Sequence, residues 1–513
     1  MIRVYKIDSA PSSLTWDEAA VGYNAWTIAN YGRDEYGKLF PIYFRSFGED
    51  KQPIHIYITA LFVKFLDLSE FSTRMPAAVF GTINVLLIFY LARSLFNNSY
   101  IGLLSSFFLA ISPHNIHFSK FNHEANFALF FFMFGLLLFF YSLKKNKSFL
   151  SLSILSFILS MISYHAAEIA VPPVILLLGV LYAKNLTKEK INILISLILL
   201  LGFILLAIFQ PRLLGVNRFN QTVQGKNDIE KTLLFNKTQN LLLGRVNLIF
   251  SQYLSYFNPK FLFISGDKNS RLSAQGAGEF YKIDAVFLII GVICLLYKRS
   301  KEGLLIVGWA LIAPLPGSVV GEAPHAGRAM FMMGSWHIIS AIGFFSLVGL
   351  LKKKIFKWFL ATVFIAYLMI SLSEYLKYYY GEFTKRYAID WQYGMKQIAQ
   401  YANEHKEYDQ VYITSIRSQP YIFLLYYLKI PLPVYLDTVI YNNSKDKSSN
   451  NVSLFGKYSF GGWNSIESPA SKGVLYVLSP SEYDGLAYKF NYDIKNIIYY
   501  PNRTTAFYLV SLK

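Results

Sequence analysis

A single cysteine in 513 residues, Cys294, set inside an apolar run, excludes a disulfide framework and any cysteine-built metal site. Charge is scarce as well. Asp, Glu, Lys and Arg together make up 16% of the chain, too few for the polar surfaces and loops that a soluble protein of this length needs. No HExxH pair is present, and the QGAGEF stretch at 275–280 is too sparse to serve as a phosphate-cradling glycine loop, which disfavours a nucleotide-bound substrate. Met1–Ser13 contains no continuous apolar core of the kind a cleavable signal peptide has. No internal repeat of 20–50 residues is found.

What the chain does contain is apolar surface. Residues of the AVILMFWYC set account for 54% of it, with 44 Phe and 38 Tyr. Apolar runs of roughly 17–25 residues, the length that crosses a bilayer, recur at short intervals. We read spans at 74–93, 100–116, 123–143, 148–165, 168–183, 191–210, 284–297, 303–320, 328–351 and 355–378. The net charge of +18 does not indicate nucleic acid, because the basic residues fall in short clusters between these runs.

Alternate connections are the basic ones: Arg93, then Lys144, Lys145 and Lys147, then Lys184, Lys188 and Lys190, then Lys298, Arg299 and Lys301, then Lys352–Lys354. The positive-inside rule places them in the cytoplasm. The remaining connections then face outward, namely 1–73, 114–122, the 164–168 corner, 211–283, 321–327 and the tail from Tyr379. An N-terminus outside the membrane with no span before it points to a further helix upstream of Met1. The tail, 379–513, changes character, alternating helical patterns (DWQYGMKQIAQYANEH, PYIFLLYYLKI) with strand patterns (QVYITS, GVLYVLS, NIIYY, AFYLVSL). The expected architecture is therefore mainly α: a polytopic transmembrane helix bundle over 74–378, preceded by a first outer segment 1–73 with juxtamembrane helices, and followed by an extracytoplasmic α/β domain. YNNSKDKSSNNVS within the tail reads as a low-complexity loop.

The outward segments hold the ionisable residues that call for explanation. In SSLTWDEAAVGYNAWTIANYG, Trp16, Ala19, Ala20, Tyr23, Trp26, Thr27 and Asn30 recur at helical spacing, an aromatic stripe suited to a helix lying along the membrane surface. Thr15 with Glu18 three residues on fits a capping box, and acids in a first turn favour the helix dipole. Capping accounts for Glu18 better than for Asp17, and spacing alone supports capping and catalysis equally. Lys51 precedes an apolar segment opened by Pro53; it could hold a lipid phosphate, while snorkelling to the headgroups explains it better on the residues alone. ISPHNIHFSKFNHEANFALF clusters His114, His117, Lys120, His123 and Glu124 at the mouth of a span, without metal-ligand spacing. There Glu124 either complements a helix dipole or serves the membrane site it enters. In VVGEAPHAGRAMFMMGSW, His325 and Arg328 open another span, and an outward arginine needs a partner or an anion. Tyr164, His165 and Glu168 form a further outward corner that could line the same cavity. Carboxylates for proton removal beside cations for a phosphate suit a substrate with an anionic head and a long lipid tail.

Taken together, PSSLTWDEAAVGYNAWTIANYGRDEYG, DKQPIHIYI, STRMPAAVFG, AISPHNIHFSKFNHEANFALFFF and PHAGRAMFM resemble the bacterial members of the protein O-mannosyltransferase and aminoarabinose transferase superfamily, over roughly the first 380 residues. The resemblance implies the type C glycosyltransferase fold in the bacterial cytoplasmic membrane. It also implies an extracytoplasmic active site, a polyprenyl-phosphate-linked sugar donor, and transfer with inversion to a protein, lipid or glycan acceptor, with no cofactor. By the same resemblance Asp17 corresponds to the base, Glu18 to its acidic neighbour and Glu124 to a further catalytic acid, while Lys51, His325 and Arg328 correspond to the lipid-phosphate site. The chain departs from the family in having DKQPI where a double proline is common after the lysine, Glu124 where some relatives have Asp, and no span ahead of the acidic pair. The tail is expected to contribute to acceptor selection. A flippase or transporter of polyprenyl-linked glycans is the main alternative; against it, no pair of broken helices is legible in matching halves. A structural subunit of the envelope is the third reading, and it leaves the clustered ionisable residues unexplained.

Overall fold

The computed structural model describes residues 1–186, 190–214, 225–442, 451–463 and 470–513. Lys188 and most of YNNSKDKSSNNVS lie outside them. The chain divides into two compact units, a helical one of 1–3 and 77–378 and an α/β one of 4–76 and 379–513.

Helices stand in the helical unit at all ten expected spans. Among the described residues six helices are long and apolar enough to cross a membrane: Glu70–Phe96, Glu124–Lys144, His165–Leu186, Lys190–Phe209, Met330–Leu350 and Lys354–Arg386. The expected run 100–116 is instead two helices, Ser99–Ile111 and Pro113–Phe118, because Ser112 takes an extended ψ of 128° ahead of Pro113. The run 303–320 likewise divides into Lys301–Ile312 and Leu315–Ser318 at Pro314. In the run 328–351 the α-helix begins only at Ser335, after a 3-10 turn at Met330–Met332 and Gly334 in a left-handed conformation (φ 98°). The described part of the 211–283 connection, read from the sequence as a loop, contains the α-helices Lys226–Glu230, Leu233–Thr238 and Leu241–Ser255 and a π-helical turn at Lys260–Ile264.

Two devices hold these helices together in an environment where lipid is as apolar as leucine. Between Glu124–Lys144 and Phe149–Met161 the hydroxyls of Ser153, Ser156 and Ser160 donate to the carbonyls of Gly135, Phe131 and Ala128 at 2.7, 2.6 and 2.8 Å. Between Asp284–Lys298 and Ser335–Leu350 the backbones meet through glycines: a Cβ on Gly343 would stand 1.9 Å from the Phe287 carbonyl oxygen, and one on Gly291 2.1 Å from that of Ile339.

In the α/β unit the strands are β1 (Phe44–Ser46), β2 (Glu49–Lys51), β3 (Gln410–Thr414), β4 (Ile440–Tyr441), β5 (Val452–Phe455), β6 (Tyr458–Gly461), β7 (Val474–Leu478), β8 (Tyr492–Tyr499) and β9 (Thr505–Leu512). β1 and β2 form an antiparallel hairpin. The other seven make one sheet in the order β4-β5-β6-β3-β7-β9-β8, with β3 parallel to both β6 and β7. Central β3 and β7 are buried along nearly their whole length, as strands covered on both faces must be.

The Trp16–Tyr31 helix corrects the surface-helix expectation. Its stripe of Ala19, Ala20, Tyr23 and Thr27 is buried, and it shares one apolar core with Ile56, Ala60, Ile398, Tyr421, Tyr426 and Leu475. The stripe faces the tail's own α/β core. Gly22 allows the close approach: a Cβ there would lie 2.4 Å from the Tyr426 ring and 2.7 Å from the Thr73 hydroxyl. Tyr23 donates its hydroxyl to the Ile430 carbonyl at 2.8 Å.

Candidate active site

In the α/β unit the acidic pair sits in the first turn of the Trp16–Tyr31 helix. The capping box read from Thr15 and Glu18 is present, with the Glu18 N–H donating to the Thr15 hydroxyl at 3.3 Å and the Thr15 N–H to the Glu18 carboxylate at 3.2 Å. Adjacent positions on a helix diverge by about 100°, and here the two acids meet different surroundings.

Glu18 is fully buried and paired with Arg74, whose Nε and Nη2 donate to its two oxygens at 2.8 and 3.0 Å. The remaining guanidinium hydrogens go to the carbonyls of Ile7 and Pro11, each at 3.0 Å, and of Ser13 at 2.5 Å. All five donors of the fork are thereby used. Removing either partner of such a buried pair costs about 3–5 kcal/mol, because the other charge is stranded. The pair ties the chain that leads into the helix to the helix itself, an arrangement suited to holding rather than to proton transfer.

Asp17, with its side chain 44% exposed, is open to an incoming molecule. Its Oδ1 accepts a hydrogen bond from the Lys51 ammonium, and the lysine side chain is only 11% exposed. Lys51 ends β2, and the β1–β2 hairpin sets it there through the Phe44 to Lys51 register. An exposed carboxylate held against a mostly buried ammonium is thus built from two segments 34 residues apart.

In the helical unit His123 caps the Glu124–Lys144 helix, its Nδ1 accepting from the Ala125 N–H at 3.1 Å and standing 3.9 Å from the Glu124 carboxylate. Tyr164 packs edge-on to His123 with ring centroids 5.7 Å apart, and its hydroxyl lies within electrostatic reach of Glu124, Arg328 and Tyr256. Gly327 sits between two imidazoles: a Cβ there would be 3.2 Å from the His325 ring and 3.4 Å from that of His123. Glu124, Tyr164, His325 and Arg328 therefore belong to one cluster, to which His123 and Tyr256 are added. His165 turns to Glu168, 3.0 Å away on its own helix.

The His325–Arg328 turn is held from the 225–283 region. The His325 N–H donates to the Tyr256 hydroxyl at 3.1 Å and the Ala326 N–H to Asp267 at 2.6 Å, while within its own loop the Arg328 guanidinium donates to the Gly321 carbonyl at 2.6 Å. Burial pushes the Asp267 carboxyl up to about 6, although the Asn269 and Ala326 N–H groups favour its ionised form. Arg74, Tyr256 and Asp267 were not candidates from the sequence. Arg74 alone left a signal there, as an arginine in the first turn of an apolar span. Among the described residues no group of three or more His, Cys, Asp or Glu is placed to hold a metal ion.

The apolar helices and the fold define a class: an integral membrane protein, mainly helical, with the type C glycosyltransferase fold and a sheet-containing C-terminal domain. The relationship narrows further. Residues 50–214 match the family model described as dolichyl-phosphate-mannose-protein mannosyltransferase, a stretch that includes Lys51, Arg74, Glu124, Tyr164 and His165. The fold is similar to that of ArnT from Cupriavidus metallidurans, in its apo state (13% identity, TM-score 0.57, 99% of this chain and 95% of that one covered) and bound to undecaprenyl phosphate (12%, 0.58, 99% and 96%). The archaeal oligosaccharyltransferase AglB from Archaeoglobus fulgidus, in complex with an inhibitory peptide and a dolichol-phosphate, also matches (16%, 0.47, 80% and 59%). No curated protein matches the sequence. The resemblance to the protein O-mannosyltransferase and aminoarabinose transferase superfamily is thus one of sequence over 50–214 and of fold over nearly the whole chain.

Proposed function

We propose that the protein transfers a sugar from a polyprenyl-phosphate donor to an acceptor hydroxyl on the outer face of the bacterial cytoplasmic membrane, with inversion at the anomeric carbon. The observation that carries this reading is the exposed Asp17 carboxylate held by Lys51, while its neighbour Glu18 is locked away by Arg74. The bond from the anomeric carbon to the phosphate oxygen breaks as the bond to the acceptor oxygen forms. Asp17 takes the acceptor proton, and the phosphate leaves with the bonding electrons. A phosphate leaving group needs neutralisation of its growing charge more than a proton, and Lys51 supplies a cation beside the base. In the helical unit we assign anion binding to His325 and Arg328, an acidic role to Glu124, and wall positions to Tyr164 and His165. Glu18 acts by holding the helix start.

The test is transfer of radiolabelled sugar from synthetic polyprenyl-phosphate donors to membrane acceptors, comparing wild type with Asp17→Asn. We expect a rate loss of about 10²–10⁴-fold, the usual contribution of general-base catalysis, with donor binding retained. Wild-type protein that binds the lipid and moves it across vesicles without transferring sugar would be a flippase instead.

A further inference from the structure

Gln392 belongs to the tail, yet its side chain ends at the residue before Asp17. It is 3% exposed, and its backbone is left-handed, with φ at 49°. Both ends of its amide are used. Oε1 accepts the Trp16 N–H at 2.6 Å, and Nε2 donates to the Arg417 carbonyl at 2.7 Å and to that of Ser418 at 3.3 Å. Trp16 opens the helix, so its N–H is one of the four for which the helix itself has no acceptor.

The loop on the other side of this bridge is also unusual. Ser418 and Gln419 have φ of 59° and 49°, and Gln419 in turn accepts the Asn451 N–H at 3.2 Å. Three non-glycine residues in the left-handed region therefore surround one contact, each of them a conformation that persists only where the surroundings enforce it. Asp17 lies between two fixed points, since Glu18 is pinned by Arg74 and Trp16 by Gln392. Its carboxylate is the part of this turn left open to substrate.

We infer that Gln392 is a positioning residue for Asp17. The amide bridge sets the direction of the helix start and hence the angle at which the Asp17 carboxylate meets the acceptor hydroxyl. This inference rests on the proposed role of Asp17 as base. It assigns the tail a part in the chemical step, beyond acceptor selection.

Gln392→Asn separates positioning from folding. Asparagine keeps the amide and tolerates the left-handed backbone well, but it is one methylene too short to span both partners. The full-length variant, purified in detergent, is compared with wild type for kcat, donor KM, melting temperature and hydrogen exchange of the peptide containing Trp16 and Asp17. We expect kcat to fall about ten- to a hundredfold, the scale set by small misplacements of a reacting group. Donor KM should be unchanged, the melting temperature only slightly lower, and exchange at the helix start faster. Gln392→Glu, which keeps the acceptor for Trp16 but loses the donor to Arg417, should lie between the two. Wild-type kcat in Gln392→Asn, or a loss that follows melting temperature alone, overturns the inference. If the wild type transfers no sugar, the functional reading falls by itself, and unaltered exchange in the variant then sinks the bridge independently.

Discussion

Glu35 shows what burial does to a single carboxyl in this protein. It is enclosed in the α/β unit, where it accepts from the Asn24 amide at 3.1 Å and the Tyr421 hydroxyl at 3.2 Å, and its own N–H returns to Asn24 at 2.9 Å. Burial, reinforced by neighbouring Asp34, pushes it from 4.5 up to about 8. The sign follows directly. The folded state holds this proton more tightly than the unfolded chain, so stability contributed here is present below about 4.5 and is lost as pH rises through 8. Glu35→Gln should flatten the dependence of melting temperature on pH across that window and stabilise the protein at its upper end. A variant that keeps the wild-type slope would show that another group titrates. At this scale the Thr15–Glu18 box was legible because both partners lie within one turn. The separation of Asp17 from Glu18 was not, because it depends on Arg74, 56 residues away, and on Gln392, 376 residues away.

Among the elements, the pairing of Glu124–Lys144 with Phe149–Met161 carries the clearest expectation. Ser153, Ser156 and Ser160 recur at spacings of three and four, so all three hydroxyls lie on one face, toward the partner carbonyls. Interhelical hydrogen bonds in membranes average about 0.6 kcal/mol each. Replacing all three by alanine should therefore cost about 2 kcal/mol, read as a lower melting temperature in detergent. Replacing Ser106, whose hydroxyl returns to its own helix at Leu103, should cost nothing measurable. Equal effects from the two sets would remove the interhelical explanation. Existence and order of the helices were readable from apolar length, though among the described residues only six of them are long and apolar enough to cross a membrane. Their breaks were readable only in part: Pro113 and Pro314 are visible in the sequence, whereas the turn at Gly334 is forced by packing, with the Trp309 ring 2.6 Å from where a Cβ would stand. The helices of 226–255 were missed because each is short and interrupted by polar residues.

For the whole molecule, the alternation of basic connections predicts which loops face the cytoplasm. Having one cysteine makes the test simple. In a Cys294→Ser background, Asn502→Cys in the tail should react with a membrane-impermeant maleimide on intact cells, and Asn146→Cys only after permeabilisation. The reverse pattern would invert the orientation and remove the extracytoplasmic assignment of Asp17. The strand runs QVYITS, GVLYVLS, NIIYY and AFYLVSL were legible and fall on β3, β7, the second half of β8 and β9, whereas the short β4, β5 and β6 were not read. That 4–76 folds with 379–513 was not, since it rests on contacts between opposite ends of the chain.

That interleaving has a consequence in time. The Trp16–Tyr31 helix packs on the Pro420–Tyr427 helix and shares its apolar core with Leu475 and Phe507, residues that leave the ribosome long after it does. At synthesis rates of about 5–20 residues per second, the 376 residues between Trp16 and Gln392 separate their emergence by roughly 20–75 s. Throughout that interval the helix bearing Asp17 has the Ile54–Leu66 helix beside it but neither the tail's share of its core nor its bridge. A nascent chain, or one released early by a premature stop, therefore carries the acidic pair with Lys51 and Arg74 already made but without the tail residues that complete the core around its helix.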